Sequence, residues 1–377
     1  MIFKGTLAEG GATAFEAAQM AAGYRLAVDM LNEQGGLGER PVVLELEDDR
    51  GDPATSRVLY AGFVTDDSVD AVVAPFGPSV TAAAAEITEL AGWPLIATAA
   101  AAPSIWAGEA RAWTVQMAVP ARAWLQGSVE VAVDAGATRL ALFTEETAIP
   151  QAVAAGVREA AQEAGLAVLI DSSYPAGEAD FASFVTAASD SGADFLVSAG
   201  YRPVAVELAR AVELAGYEPL MMSLGIGPAD PTFPDDAGTD ASVCVMGHSP
   251  WAASIDTHGF LASNNTFVQR YTQEHGVAPG YHAALGFGAI ELLAEAVSET
   301  LTEDNEIDRV ELRDYLFGTA TETILGPFSV LASGSNAGAQ NLLSGLQIQW
   351  QDDGEGNLVQ RTVHPESHAE AEACLYR

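Results

Sequence analysis

Residues 70–98 read DAVVAPFGPSVTAAAAEITELAGWPLIAT, and residues 194–223 read DFLVSAGYRPVAVELARAVELAGYEPLMMS. The two stretches match at one constant offset through an apolar run, a loop and a helical segment that ends in ELAG, at 89–92 and at 213–216. A further Pro-Leu pair matches after one inserted residue. Each copy predicts a strand, a loop, a helix and a second strand. This duplication favours two lobes of like topology.

The same alternation of strands and helices runs through the rest of the chain. Short β-branched runs such as PVVLELE (41–47), TRLALFT (138–144) and AVLIDS (167–172) each adjoin an amphipathic helical stretch. Strands that alternate with helices are typical of parallel sheets covered by helices on both faces. The predicted fold class is therefore α/β, with doubly wound parallel sheets.

Helix boundaries can be predicted for the first two helices. Thr13 and Glu16 have the spacing of a capping box, and Gly35-Gly36 is a typical helix stop. The second helix is expected to begin after Asp52 as N-cap, with Pro53 at its first position.

Composition excludes several classes of partner. The chain has 377 residues, 49% of them hydrophobic, and a net charge of -36, which argues against nucleic acid and anionic membrane surfaces. No apolar run is long enough to span a membrane.

Met1 leads directly into a predicted strand, so we expect that any export sequence was removed or never existed. Lys4 is the only lysine, which fits either a saline habitat or a GC-rich coding bias.

The two cysteines, Cys244 and Cys374, allow two interpretations. One disulfide can form in an exported protein, and the alternative is a pair of buried thiols.

Paired loops predict where a ligand would bind. Loops PFGPS (75–79) and AGYRP (199–203) are equivalent in the two copies, and so are ATAAAAP (97–103) and SLGIGP (223–228). Ligands of open parallel sheets bind beyond the carboxyl ends of the strands. If the lobes face each other, all four loops line one cleft, the usual place for a small-molecule site.

Gly77 and Ser79 suggest the chemistry of that site. Gly77 lets the backbone approach a ligand closely. Ser79 falls at the predicted helix start, where its hydroxyl and the free N–H groups favour a carboxylate oxygen. The alternative is that Ser79 only caps the helix.

The chain resembles a known family, the Leu/Ile/Val-binding family of type I periplasmic solute-binding proteins. These are the receptors of branched-chain amino acid ABC importers. The resemblance rests on segments that cover most of the chain in the family's order: AVDMLNEQGGLGERPVVLELEDDRGDP (27–53), VVAPFGPSV (72–80), WPLIATAAAAPSIW (93–106), ADFASFVTAASDSGADFLVSAGYRP (179–203) and GPFSV (326–330).

The resemblance implies two α/β lobes joined by a three-stranded hinge. The first lobe would comprise residues 1–120 plus 251–325, and the second 121–250 plus 326–377. A ligand would close the lobes, and the closed form would dock on a membrane permease. The protein would be a monomer in the periplasm or at the cell surface, and it would need no cofactor or metal.

The resemblance also implies a set of ligand-binding positions. Phe15 would pack on the ligand side chain, Ser79 would bind the carboxylate, and Tyr201 would contact the ligand from the second lobe. Tyr281 or His282 would supply a further aromatic contact. The full set is Phe15, Phe76, Gly77, Pro78, Ser79, Ala99, Ala100, Ala101, Ile149, Tyr201, Leu224, Gly225, Tyr281 and His282.

Three departures from the family pattern bear on the ligand. Ala101 replaces a threonine that helps to hold an amino acid, Leu224 lies where an acid should pair the ammonium, and Ile149-Pro150 replaces a tyrosine-glycine pair. A buried ammonium without a carboxylate is costly, unless Glu145 or Glu146 substitutes. We therefore expect a small apolar or aromatic carboxylate as ligand, with a branched-chain amino acid second.

Two other function classes remain as alternatives. One is a ligand-sensing regulatory domain of the same fold, similar to amide sensors, and the other is an enzyme. No Walker loop, H-E-x-x-H, C-x-x-C or G-x-S-x-G motif is present, so we expect no enzyme. HPESH (364–368) and ELEDDRGD (45–52) are interpreted as solvated segments and not metal sites, and Trp106 and Trp113 as packing residues and not ligand contacts.

Overall fold

The structure is a computed structural model that describes residues 1–11, 13–106, 111–177 and 180–376. The strands are β1 (Ile2–Thr6), β2 (Val43–Glu47), β3 (Ala71–Val73), β4 (Leu95–Ala97), β5 (Thr114–Gln116), β6 (Arg139–Glu145), β7 (Ala167–Tyr174), β8 (Phe195–Ala199), β9 (Met221–Leu224), β10 (Val245–Ser249), β11 (Thr321–Thr323), β12 (Gly326–Phe328), β13 (Leu346–Asp352) and β14 (Leu358–His364). The helices are α1 (Ala14–Glu33), α2 (Pro53–Phe63), α3 (Pro78–Ala91), α4 (Gln126–Asp134), α5 (Ala148–Ala164), α6 (Phe181–Ser191), α7 (Arg202–Ala215), α8 (Phe233–Ala237), α9 (Thr239–Ser242), α10 (Asn264–His275), α11 (Tyr281–Thr300) and α12 (Arg309–Gly318). Strands alternate with helices along most of the chain, so the predicted α/β class is confirmed. None of the helices in these ranges has the length and apolar character that crossing a bilayer requires.

The chain forms two compact units and crosses between them three times. Unit 1 comprises Met1–Pro120 and Ala253–Leu343, and unit 2 comprises Ala121–Ala252 and Ser344–Arg377. The third crossing follows Leu343, later than the residue 325 that the resemblance implies. The reason is that β12 pairs antiparallel with β11 and so stays in unit 1.

Unit 1 contains short parallel sheets. Its three-stranded sheet has the order β2-β1-β3, and β4 pairs in parallel with β5. Helices α1 and α11 pack closely because Gly23 and Gly286 carry no side chain at their contact. A Cβ atom at either position would collide with the backbone of the other helix. Tyr60, Trp93 and Leu95 are buried together in one apolar cluster of this unit. These contacts fix the ends of β3 and β4.

Unit 2 contains a seven-stranded sheet of order β14-β13-β10-β9-β8-β6-β7. The five neighbouring strands β10, β9, β8, β6 and β7 pair in parallel. Strand β13 pairs antiparallel with β10 on one side and with β14 on the other. Buried aromatic and aliphatic residues such as Phe143, Leu196 and Phe233 form its core. The sheet brings the carboxyl ends of β6, β7, β8 and β9 to one edge.

Cys244 and Cys374 form a disulfide, with Cα atoms 5.6 Å apart. Of the two interpretations that the sequence left open, the bridged one is confirmed. The amide of Gln349 supports the bridge, because it donates to the Cys244 and Cys374 carbonyls at 2.9 Å and 2.8 Å and accepts the Cys374 N–H at 2.8 Å. The C-terminal segment is thereby held against β13.

The predicted start of α2 is confirmed, and the predicted boundaries of α1 are confirmed in part. Asp52 is the N-cap of α2 and accepts the Thr55 N–H at 2.9 Å, with Pro53 as the first helical residue. At the end of α1, the Gly36 N–H donates to the Leu31 carbonyl at 3.0 Å. The capping box of α1 is wrong, because the Thr13 side chain makes no capping hydrogen bond.

The sequence duplication corresponds to a structural one. Gly77 is the N-cap of α3, and Tyr201 holds the same place before α7. Both helices end in a left-handed glycine, Gly92 at φ 69° and Gly216 at φ 59°. Because each helix follows a parallel strand, β3 or β8, each N-terminus lies at the carboxyl edge of its own sheet.

Candidate ligand-binding residues in each unit

In unit 1, the β3–α3 loop presents the beginning of α3 to solvent. Gly77 has φ 101° and ψ 156°, a conformation that only glycine adopts readily. Pro78 follows as the first helical residue, and Ser79 is the second and is exposed. The alternative interpretation, in which Ser79 only caps the helix, is wrong, since Gly77 is the N-cap and no capping side-chain bond forms. The Ser79 hydroxyl makes no hydrogen bond to any of the residues that the structure describes, so it can bind another partner.

The free N–H groups of α3 add to that hydroxyl. Pro78 has no N–H, and the next residues in the first turn have no acceptor within the helix. The helix dipole places partial positive charge at this end. A carboxylate oxygen of a ligand would find both a hydroxyl and N–H donors here.

Two side chains that the sequence did not single out hold this loop in place. The Tyr24 hydroxyl of α1 donates to the Ala74 carbonyl at 3.0 Å and lies 2.8 Å from the Thr98 hydroxyl. Burial raises the pKa of Tyr24, so the hydroxyl keeps its proton. Thr81 donates to the Pro75 carbonyl at 3.2 Å. The ends of β3 and β4 are thus joined to α1.

The loop after β4 offers backbone more than side chains. Ala100 and Ala101 are buried, and Ala99 is half-buried. The Ala100 carbonyl already accepts from the Gln116 side chain at 3.2 Å. Gln116 is a positioning residue that the sequence gave no reason to select.

Aromatic rings gather beside the β3–α3 loop. Phe76 meets His282 edge to face, with centroids 5.2 Å apart, and His282 lies 3.9 Å from the Tyr281 ring. The close packing of α1 and α11 sets the start of α11 at this place. Phe15, in the first turn of α1, is 62% exposed. The structure therefore brings Phe76, Tyr281 and His282 together with an apolar surface suited to a ligand side chain.

In unit 2, a polar cluster lies at the carboxyl ends of β6, β7 and β8. Glu145 and Tyr174 are register partners, so their side chains share one face of the sheet. Ser198 shares that face through its pairing with Phe143, two residues before Glu145. Glu145, Tyr174 and Ser198 are 5%, 2% and 1% exposed. We refer to Glu145, Tyr174, Ser198 and Tyr201 as the unit 2 polar cluster.

Tyr201 is the most accessible member of the cluster, at 37% exposed. Burial and the nearby charge of Glu145 raise its pKa, and the Thr147 hydroxyl opposes that shift. Burial raises the pKa of Tyr174 to about 12. The neighbouring Ser198 hydroxyl opposes this shift, and the charge of Glu145 adds to it. Both phenols therefore remain protonated and can donate or accept.

The other predicted residues of unit 2 are less accessible. Ile149 is buried in the first turn of α5, and the Leu224 side chain packs in the core of unit 2. Gly225 donates its N–H to the Ser198 carbonyl at 2.8 Å. A side chain at Gly225 would meet the backbone of Gly200. This part of the edge is backbone-lined and fixed.

The described residues contain no cluster of three or more metal-ligating side chains. In the segment 45–52, Asp48 accepts backbone N–H groups of Glu9 and Arg50, and Asp49 accepts the Thr6 hydroxyl. Trp106 is buried, and Trp113 packs against Gly92 and the guanidinium of Arg313. These contacts agree with the interpretation of both tryptophans as packing residues.

Comparison with known proteins places the chain in a class. Residues 6–353 match the family model described as periplasmic binding protein. A curated relative, Leu/Ile/Val-binding protein homolog 8 of Brucella melitensis, is 26% identical over 376 residues, which is 95% of this chain and 89% of the relative.

Two solved structures share the fold. The branched-chain amino acid transporter substrate binding protein LivJ of Streptococcus pneumoniae, in complex with isoleucine, has a TM-score of 0.76 at 19% identity and covers 97% of this chain and 99% of its own. A solute binding protein of an ABC transporter from Rhodopseudomonas palustris, in complex with 3,4-dihydroxy benzoic acid, has a TM-score of 0.78 at 18% identity and covers 99% and 98%.

The strand-end loops and the parallel sheets are those of a solute-binding protein, and the match over most of the chain shows that it belongs to the periplasmic binding protein family. The resemblance to the Leu/Ile/Val-binding family is confirmed by the curated relatives of that name.

Proposed function

We propose that this protein is the extracytoplasmic solute-binding receptor of an ABC importer and that its ligand is a small carboxylate with an apolar body. The observation that carries the proposal is the beginning of α3, where Gly77 exposes free N–H groups beside the unpartnered Ser79 hydroxyl. An anionic oxygen satisfies all of these donors at once.

The aromatic surface of unit 1 supports the apolar half of the ligand. Phe76, Tyr281 and His282 lie together, and Phe15 is exposed on the adjoining helix. Such rings bind aliphatic and aromatic groups alike. The two solved relatives carry isoleucine and 3,4-dihydroxy benzoic acid, one ligand of each kind.

The remaining parts of the proposal concern location and partner. Ligand binding would close the two lobes at their hinge, and a membrane permease would accept the closed form. The Cys244–Cys374 disulfide supports a place outside the cytoplasm, in the periplasm or at the cell surface, because such bridges persist in oxidising compartments.

A ligand screen with a matched pair of variants tests the proposal. Thermal unfolding should be followed with branched-chain amino acids, hydroxy and keto acids, benzoates and amides, since a true ligand raises the melting temperature. Ser79→Ala should weaken binding of the carboxylate hit by about 1–3 kcal/mol. Ser298→Ala, at an exposed position of α11, should leave affinity unchanged. An amide as the only hit, or equal affinity of both variants and the parent, would contradict the proposed carboxylate site.

A further inference from the structure

We propose that Glu145, at the end of β6, recognises a protonated amine on the ligand and thereby decides between amino-bearing and plain carboxylates. The inference rests on the proposed function, because it assigns the specificity of the same receptor. It reverses the preference for plain carboxylates that the sequence favoured.

Glu145 is buried, and the described residues provide it with no counter-ion. The residue is 5% exposed, and among the described residues its side chain accepts only the neutral Thr147 hydroxyl, at 3.2 Å. Across the described part of the chain, no Lys, Arg or His lies within ion-pair distance of this carboxylate. Arg202, the first residue of α7, is already paired with Asp230 and Asp236. A buried carboxylate is costly without a cation, so a ligand cation would supply what the fold omits.

Hydroxyl groups surround Glu145 at the end of β6. The hydroxyls of Tyr174 and Ser198 are buried neighbours at the same edge, and neither has a hydrogen-bond partner of good geometry among the described residues. Tyr201 adds a third hydroxyl that feels the Glu145 charge. An ammonium has three donors and no acceptor. One carboxylate with hydroxyl oxygens around it can satisfy those donors, whereas a second anion would be repelled.

Neither Glu146 nor position 224 can take the place of Glu145 as the buried acid that binds an ammonium. Glu146 is exposed and accepts the Ser173 hydroxyl at 2.8 Å. Leu224, where the resemblance places an acid, packs in the core of unit 2. The recognition of a cation is thus assigned to the end of β6 and not to the end of β9 in this chain.

The test uses isosteric ligand pairs and neighbouring variants. Calorimetric binding to the whole protein should be measured for leucine against 2-hydroxy-4-methylpentanoate, and for phenylalanine against 3-phenyllactate, with benzoate as a plain carboxylate. Glu145→Gln removes the charge and keeps the shape, Glu145→Asp keeps the charge, and Glu146→Gln is the control next to it. Far-UV circular dichroism and ligand-free melting show whether each variant is folded.

We expect an amino acid to bind at least tenfold more tightly than its hydroxy partner. Glu145→Gln should weaken the amino acid at least tenfold and leave the hydroxy acid unchanged or tighter, while Glu146→Gln changes neither. Glu145→Asp should restore part of the preference, which separates a charge effect from a folding defect.

Two results overturn the inference while the proposed function stands. One is binding of hydroxy acids or benzoate in preference to the amino acids, and the other is a Glu145→Gln variant that is folded and keeps its amino acid affinity. If Glu145→Gln does not fold, equal affinities of Glu145→Asp and the parent for both members of a pair, without an amino acid preference, also overturn it. Failure of every carboxylate in both series to bind would instead overturn the proposed function.

Discussion

The imidazole of His248 in β10 stacks on the indole of Trp124, with ring centroids 4.9 Å apart and planes within 10° of parallel. Neither ring nitrogen of His248 has a hydrogen-bond partner among the described residues. Burial lowers the pKa of His248 to about 3. The ring is therefore neutral in the folded protein and behaves as an aromatic packing residue.

Replacing His248 with Phe should reduce the acid sensitivity of the protein. In the unfolded chain the histidine takes up its proton below pH 6.5, whereas the folded chain resists this until about pH 3. The parent protein should therefore lose stability as pH falls through this window, by up to about 5 kcal/mol. His248→Phe lacks this loss, and its advantage over the parent should grow between pH 7 and pH 4.

The measurement is urea denaturation at several pH values, with His258→Gln as the control because His258 is largely exposed. Overpacking against Gly345, which lies close to the His248 ring, would lower stability equally at every pH. Parallel pH profiles of His248→Phe and the parent would contradict the prediction.

Glu291 of α11 should have the opposite pH dependence. Its buried carboxylate accepts the N–H groups of Leu261 and Ile324, both at 3.0 Å. Burial raises its pKa from 4.5 to about 7, against the opposing effect of these N–H donors. Because the folded pKa is raised, the folded state binds the proton more tightly. This contribution is complete below pH 4.5 and is lost as pH rises towards and through 7, by about 3 kcal/mol.

Glu291→Gln should remove that part of the pH dependence between pH 4.5 and 7.5, whatever its effect on absolute stability. Chemical denaturation across this range measures the slope. Glu299→Gln serves as the control on the same helix, since Glu299 is exposed. A Glu291→Gln profile as steep as that of Glu299→Gln would mean that Glu291 is ionised in the fold throughout the range.

Local signals predicted much of the fold, and long-range contacts account for what they missed. The duplicated segment predicted α3 and α7, because a repeated strand, loop and glycine stop depends on residues close in sequence. The interpretation of Ser79 as the cap of α3 is wrong because the backbone angles of Gly77 decide where the helix begins.

The unit 2 polar cluster depends on contacts between strands that are distant in the chain. The sequence alone could suggest Glu145 as a substitute for the acid that binds the ligand ammonium. Its burial could not be predicted, because it depends on β7 and β8 lying on either side of β6. Likewise, the sequence left the pairing of Cys244 with Cys374 open, since they are 130 positions apart in the sequence.

Gly77 and Gly62 form a matched pair for testing the loop that begins α3. A side chain at either position meets no atom within 4 Å. Gly77 has φ 101° and ψ 156°, so Gly77→Ala should destabilise the ligand-free protein by about 1–3 kcal/mol through backbone strain alone. Gly62 lies within helix α2, so Gly62→Ala should stabilise by about 0.5–1 kcal/mol. A Gly77→Ala variant that melts at or above the temperature of the parent would show that the Gly77 conformation is not required.

The disulfide yields the last prediction. The bridge closes a long loop, since its cysteines are 130 positions apart in the sequence, and so it restricts the unfolded chain strongly. Reduction should lower the free energy of unfolding by about 2–5 kcal/mol. The fold should survive reduction, because the C-terminal segment keeps the hydrogen bonds of Gln349 and the Tyr376 N–H bond to Leu220 at 3.0 Å. Denaturation with and without dithiothreitol measures the loss, and a Cys244→Ser, Cys374→Ser double variant should not respond to the reductant. A thiol assay on the denatured, unreduced protein should detect no free cysteine; two reactive thiols, with no effect of reductant on stability, would show that the bridge does not form.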